Sequence, residues 1–290
     1  MFEKKIIKYM SLATISVAVL GSSSCGASKE ELIARAVQGS IGAAAAYLIP
    51  ISVDQEKQIG VQSQAQVFTQ YKEYTGNQDL TNYVKSVASN VIGQASRKNE
   101  INYQVFIIDT PEINAFTIAG GSIFITTEIL KYLNNEAELS GIIAHEVGHN
   151  ERKHPVSTIK RALALQGLAQ GALSKNDPAV IQLLANASLS LILNGFSRKQ
   201  ETEADETGTL IISKLNYQND ALAGFLKTLI TVSPDPNGLI KLFQTHPGSQ
   251  DRINDINQYI GRNNFVKSTF TNTEVYKKYV SVLPAKVQIK

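Results

Sequence analysis

The 290-residue sequence has a single cysteine, Cys25, and only four histidines. One cysteine excludes an intramolecular disulfide framework and any multi-cysteine zinc or iron–sulfur site. An excess of one charge is also missing. Lys and Arg number 28 against 25 Asp and Glu, a formal net charge of +3, and Lys4, Lys5 and Lys8 against Glu3 put two of those units in residues 1–24. The near-neutral remainder carries no electrostatic footprint for nucleic acid. No segment reaches the roughly 20 apolar residues that a membrane-spanning helix needs, and the chain contains no internal repeat or low-complexity tract. With 43% hydrophobic and 18% charged residues the chain is an ordinary globular protein, long enough for one substantial core or two.

The amino-terminal stretch has a different character. Residues 3–8 (EKKIIK) are basic, and Tyr9 to Leu20 are uncharged and mostly apolar or small, the two regions of a secretory signal over residues 1–24. The run GSSSCGAS (21–28) then brings small residues up to Cys25. It resembles a bacterial lipoprotein signal, in which the cysteine becomes the lipidated first residue, although Ser22 stands where such signals usually carry Leu. The expectation is an exported, periplasmic protein anchored to the outer membrane by lipid at Cys25. A helical segment or linker follows over 25–50.

Helical periodicity dominates the rest. Residues 53–73 and 78–96 read as amphipathic helices, and further helices are expected near 136–152, 156–173, 178–195, 198–215, 219–231 and 249–261. Strand composition is confined to INYQVFIID (101–109) and SIFIT (122–126). The fold class is therefore α+β and mainly helical, with a small sheet, over 51–265. Residues 266–290 read as a C-terminal tail without a functional signal.

Chemistry concentrates in LSGIIAHEVGHNERKH (139–154). His145 and His149 are four residues apart on a helix, so both imidazoles point the same way and can share a metal ion. Glu146, beside the first of them, is placed to accept a proton without ligating. The match to H-E-x-x-H is complete. Gly148 costs the helix about 0.5–1 kcal/mol relative to Ala, which implies that something packs closely there. The longer H-E-x-x-H-x-x-G-x-x-H pattern fails, because Arg152 and Pro155 stand where Gly and His are required. A third ligand must come from elsewhere. The acidic helix SRKQETEADETG (197–208) offers Glu201, with Asp205 on the same face to orient a ligand histidine; Glu203 points nearly the opposite way.

HEVGH preceded by NNEAELSGIIA, followed by SR-x-x-E-x-E-A-D and then THPGSQDRI (245–253), resembles the M48 family of zinc metallopeptidases. The chain is most similar to its exported branch, whose members act on misfolded or stalled outer-membrane proteins. ISVDQEKQIG (51–60) and NAFTIAGGSIFITTEIL (114–130) extend the resemblance over 51–260. It implies a zincin-like domain, one zinc per chain on His145, His149 and Glu201, Glu146 as general base, and unfolded or misassembled proteins as substrates. His246, in the THP sequence, is implied near the active site as an oxyanion donor or a regulatory metal contact; on its own it reads equally as a loop histidine. Arg252 is expected to pair with an acidic group. His154, about 140° around the helix from His149 if that helix continues, reads as structural. Strand 122–126 resembles the edge along which such peptidases align an extended peptide. The competing reading is a zinc-binding chaperone or assembly factor of the cell envelope whose proteolysis is minor or latched.

Overall fold

The computed structural model describes residues 51–165, 181–182, 184–186, 193–232, 241–247 and 249–286. The expected signal, Cys25, the 25–50 segment and most of the helix expected at 178–195 lie outside them. The described elements are α1 (Val53–Gln70), β1 (Lys72–Glu73), α2 (Gln78–Ile92), β2 (Gln104–Asp109), β3 (Ala115–Thr117), β4 (Ser122–Thr126), α3 (Thr127–Tyr132), α4 (Glu136–Glu151) and α5 (His154–Leu165). They continue with α6 (Arg198–Lys214), α7 (Ala221–Val232), α8 (Leu242–Thr245), α9 (Ser249–Asn263) and α10 (Thr273–Val280). The fold is mainly helical α+β, as expected.

The four strands form one mixed sheet in the order β1-β2-β4-β3, with β2 and β4 parallel and the two outer pairs antiparallel. Alternation along the strands divides the core. Val105, Ile107, Ile123 and Ile125 face the helical layer containing α2, α4 and α7, whereas Phe116 and Phe124 face the other side with Phe68 and Phe106. The rings there pack edge-on and stacked, with centroids 5.1 to 5.8 Å apart.

One expectation is corrected. Strand 122–126 is internal, paired with β2 on one side and β3 on the other, and β3 is the edge. The reason is the Gly120-Gly121 pair, whose φ angles of 84° and 100° turn the chain back on itself. Residues 115–117 thereby pair with 123–125, a hairpin that composition alone did not separate.

Helix α4 runs through the interior, every residue from Glu136 to Asn150 being buried. Both ends are tied down. Asn135 caps the first turn by accepting from Glu138 N, and the Glu136 carboxylate accepts from Tyr83 Oη at 2.8 Å, Tyr217 Oη at 2.6 Å and Asn272 Nδ2 at 2.8 Å. Anionic groups at a helix N-terminus also complement its dipole. At the other end Glu151 accepts from the Arg97 backbone at 3.0 Å and Tyr103 Oη at 2.9 Å. Arg97 also donates to Asn150 O at 2.6 Å while forking onto buried Glu56. A helix held at both ends in this way presents its side chains in one fixed register.

Residues 266–286 are more than a featureless tail. Helix α10 buries Tyr276 in the main core, and Tyr279 stacks on Tyr83 with centroids 4.3 Å apart.

Candidate metal centre

Two helices build the centre, and small residues set their distance. Ser197 opens α6 with a capping box, its hydroxyl accepting from Gln200 N while the Gln200 side chain accepts from Ser197 N. Glu201 and Asp205 thus fall in the first two turns, on the face towards α4. A Cβ on Gly148 would stand 2.8 Å from Ala204 O, and one on Gly208 would stand 3.0 Å from His145 N. The glycine that weakens α4 as an isolated helix is therefore what lets α6 approach closely enough to present Glu201.

That approach gathers four side chains. His145 Nε2 lies 3.0 Å from His149 Nε2, 3.2 Å from His246 Nδ1 and 3.5 Å from Glu201 Oε2. His149 Nε2 lies 3.4 Å from Glu201 Oε1, and His246 Nδ1 lies 3.1 Å from Glu201 Oε2. One donor atom from each of the four falls within 4.8 Å of the others. Ligands held about 2.0–2.1 Å from zinc at tetrahedral angles stand about 3.3–3.4 Å apart, so nitrogen and carboxylate donors at these separations fit a small divalent cation. All four residues are buried, and imidazole with carboxylate suits zinc chemistry.

Asp205 and Arg252 support the first histidine. His145 Nδ1 donates to Asp205 Oδ1 at 2.8 Å. Arg252 forks onto the same carboxylate at 2.8 and 2.7 Å and reaches Glu201 Oε2 at 2.9 Å, the acidic pairing expected of it. Burial alone would raise the Asp205 carboxyl; the guanidinium and His145 overcome it and hold it low. Glu201 is likewise raised by burial and pulled well below the usual carboxylate range by His246 and Arg252. Burial and Arg252 would lower His145, but its carboxylate partners prevail and push it up to about 9.

The second histidine is supported differently. His149 stacks on Phe196 with centroids 4.0 Å apart, and its Nδ1 lies 2.9 Å from His154 Nδ1. His154 Nε2 is in turn 2.9 Å from Glu203 Oε2. Sequence reasoning set both residues aside. The angular count behind that reading assumed a continuous helix, but α4 ends at Glu151 and Lys153 adopts φ 56°, which brings His154 back under His149. The signal available was Pro155, which cannot continue a helix but suits the first turn of a new one.

Glu146 faces the centre without joining it. Its Oε1 lies 3.5 Å from His246 Nε2, while Oε2 is buried and has no hydrogen-bond partner. Burial, reinforced by Glu201, raises its carboxyl against the opposing His246 and His145. His246 is held from several sides: its backbone N donates to Leu242 O at 2.7 Å, its Nε2 to Ala115 O at 3.3 Å, and the preceding Thr245 donates through Oγ1 to Asn114 Oδ1 at 3.2 Å.

An H-E-x-x-H helix completed by a glutamate from a second helix, beside a small mixed sheet, defines a metallopeptidase. The chain belongs to peptidase family M48, whose profile matches residues 78–260. It is 26% identical over 214 residues to the mitochondrial metalloendopeptidase OMA1 of Schizosaccharomyces pombe, covering 72% of this chain and 62% of that one. It is 25% identical over 187 residues to the beta-barrel assembly-enhancing protease of Escherichia coli, covering 61% and 38% respectively. With the metalloprotease YcaL of Escherichia coli it shares 26% over 186 residues, covering 62% and 68%. The matched region thus spans less than two thirds of the first two relatives' own length.

Proposed function

We infer that the chain is a zinc endopeptidase, with one zinc per chain, that cleaves unfolded or misassembled proteins of the cell envelope. The observation that carries the reading is the buried set His145, His149 and Glu201 beside the unpartnered Oε2 of Glu146. Zinc held by those three residues supplies a Lewis acid for the scissile carbonyl and lowers the pKa of water. Glu146, its basicity raised by burial, takes the proton of the attacking water and returns it to the leaving amine. Asp205 holds His145 in the tautomer that leaves Nε2 free to ligate. Substrate backbone adds along β3, the edge nearest the centre, which selects extended over folded chains. The envelope assignment draws on the secretory pattern of residues 3–20, on Cys25 as a lipid attachment point at the outer membrane, and on the name of the Escherichia coli assembly-enhancing relative. Among the described residues no helix is long and apolar enough to cross a membrane.

His246 favours a second reading, a latched enzyme or a chaperone-like factor. A catalytic zinc keeps one position open, yet His246 Nδ1 completes a four-donor set. With its Nε2 proton donated to Ala115 O, Nδ1 would be the nitrogen left to hold a metal, so one side chain would take up both a fourth donor place and an acceptor on the edge strand. Displaced, the same imidazole would serve as a donor to the oxyanion. The test is zinc-dependent cleavage of casein and of a compact folded protein by the full chain and by His246→Ala. The peptidase reading expects casein alone to be cut, and the latch expects faster cutting by the variant. No cutting by either, with aggregation of an unfolded protein suppressed, would replace it by the chaperone reading.

A further inference from the structure

We propose that His154 and Glu203 are positioning residues for His149, fixing its tautomer and ring plane through a two-step hydrogen-bond relay. The proposal rests on the metal reading above. His149 turns Nε2 towards His145 Nε2 at 3.0 Å and Glu201 Oε1 at 3.4 Å, so a ligating Nε2 requires the ring proton on Nδ1. Among the described residues the partner of that proton is His154 Nδ1 at 2.9 Å. Two imidazole nitrogens bond only when one lacks a proton, which puts the His154 proton on Nε2. It points at Glu203 Oε2, also at 2.9 Å. Each assignment forces the next, and the chain ends on a carboxylate with no donor facing a donor.

The arrangement completes an asymmetry between the two ligands. His145 meets its carboxylate, Asp205, directly at 2.8 Å inside the protein. On its Nδ1 side His149 reaches a carboxylate through a second imidazole, and that carboxylate is 36% exposed. Phe196 closes the other face of the His149 ring, so rotation of the ring breaks either the stack or the relay. His154 also opens α5, where its carbonyl accepts from Ser157 Oγ at 2.9 Å; that contact is made by the backbone and survives replacement of the imidazole.

The test compares the full chain with His154→Leu, His154→Asn, Glu203→Ala and Glu203→Gln. Zinc affinity is measured by competition with a chromogenic chelator, and ring tautomers by long-range proton–nitrogen correlation in zinc-loaded protein. Removing the acceptor in His154→Leu should weaken zinc binding by about 10–100-fold, the range typical of lost outer partners. His154→Asn, whose Oδ1 stands near the place of Nδ1, should retain most of the affinity. Glu203→Gln can still accept from Nε2 and should lose less than Glu203→Ala. In the parent, His149 should carry its proton on Nδ1 and His154 on Nε2. A His154 proton found on Nδ1, or equal zinc affinity in parent, Leu and Asn chains, would overturn the relay while leaving the metal site standing. A parent that takes up no zinc would overturn the metal reading, and the relay with it. Should the Leu variant not fold, the parent tautomers and the Asn variant still decide.

Discussion

Arg252 shows most clearly what single residues contribute, because its guanidinium touches two buried carboxylates, Asp205 and Glu201. Removing one partner from a buried ionic cluster typically costs about 3–5 kcal/mol, since the remaining charge is left unpaired. Arg252→Gln should therefore lower the urea-unfolding stability of metal-free protein by about that amount. Zinc should restore part of it by balancing Glu201. A loss below about 1 kcal/mol would place the cluster's counter-charge elsewhere. At this scale the sequence was informative wherever residues sit at helical spacing: His145, Glu146 and His149 follow from a five-residue pattern, and Glu201 with Asp205 from one turn of α6. The structure brings these side chains together. His154 and Glu203 were not legible, because they depend on where α4 stops and how the chain turns at Lys153. Spacing rules say nothing about a turn.

At the scale of elements, the crossing of α4 and α6 decides whether the ligands converge. Gly148→Ala puts a methyl group 2.8 Å from Ala204 O, and overpacking of this kind costs about 1–3 kcal/mol. The same displacement moves Glu201 away from the histidines, so zinc affinity should fall together with the melting temperature. The control is Gly261→Ala on α9, where a Cβ meets nothing within 4 Å; it should stabilise by about 0.5–1 kcal/mol through helix propensity and leave zinc binding unchanged. Equal behaviour of the two variants would remove the close-approach explanation for Gly148. The long helices and both main strands were legible because periodicity and branched-residue content act locally. Strand β3 was not, since three residues carry little periodic signal and their pairing depends on the turn at Gly120-Gly121. Helix α10 was missed for a related reason: its one buried residue, Tyr276, declares itself only through contact with the distant core.

For the whole molecule, metal and fold are expected to be coupled. The donor set joins α4, α6 and the loop after α8, segments more than 90 residues apart in the chain at their extremes. A ligand that binds only the folded state stabilises it by about 2.7 kcal/mol at a hundredfold excess over its dissociation constant. Chelation should accordingly lower the melting temperature, and zinc should restore it in proportion to the logarithm of its free concentration; a melting temperature indifferent to chelator would deny the coupling. Truncating Tyr276→Ala should cost about 3–5 kcal/mol and shift the melt of the entire domain, as the α10 helix shares the main core. The central claim is that Glu146 performs proton transfer beside a metal it does not hold. It is tested most directly by measuring bound zinc and casein cleavage for the parent and for Glu146→Gln. The expected result is about one zinc in each, with cleavage by the variant reduced by about 10²–10⁴-fold; a variant that cuts as fast as the parent, or a parent that binds no zinc, would contradict it.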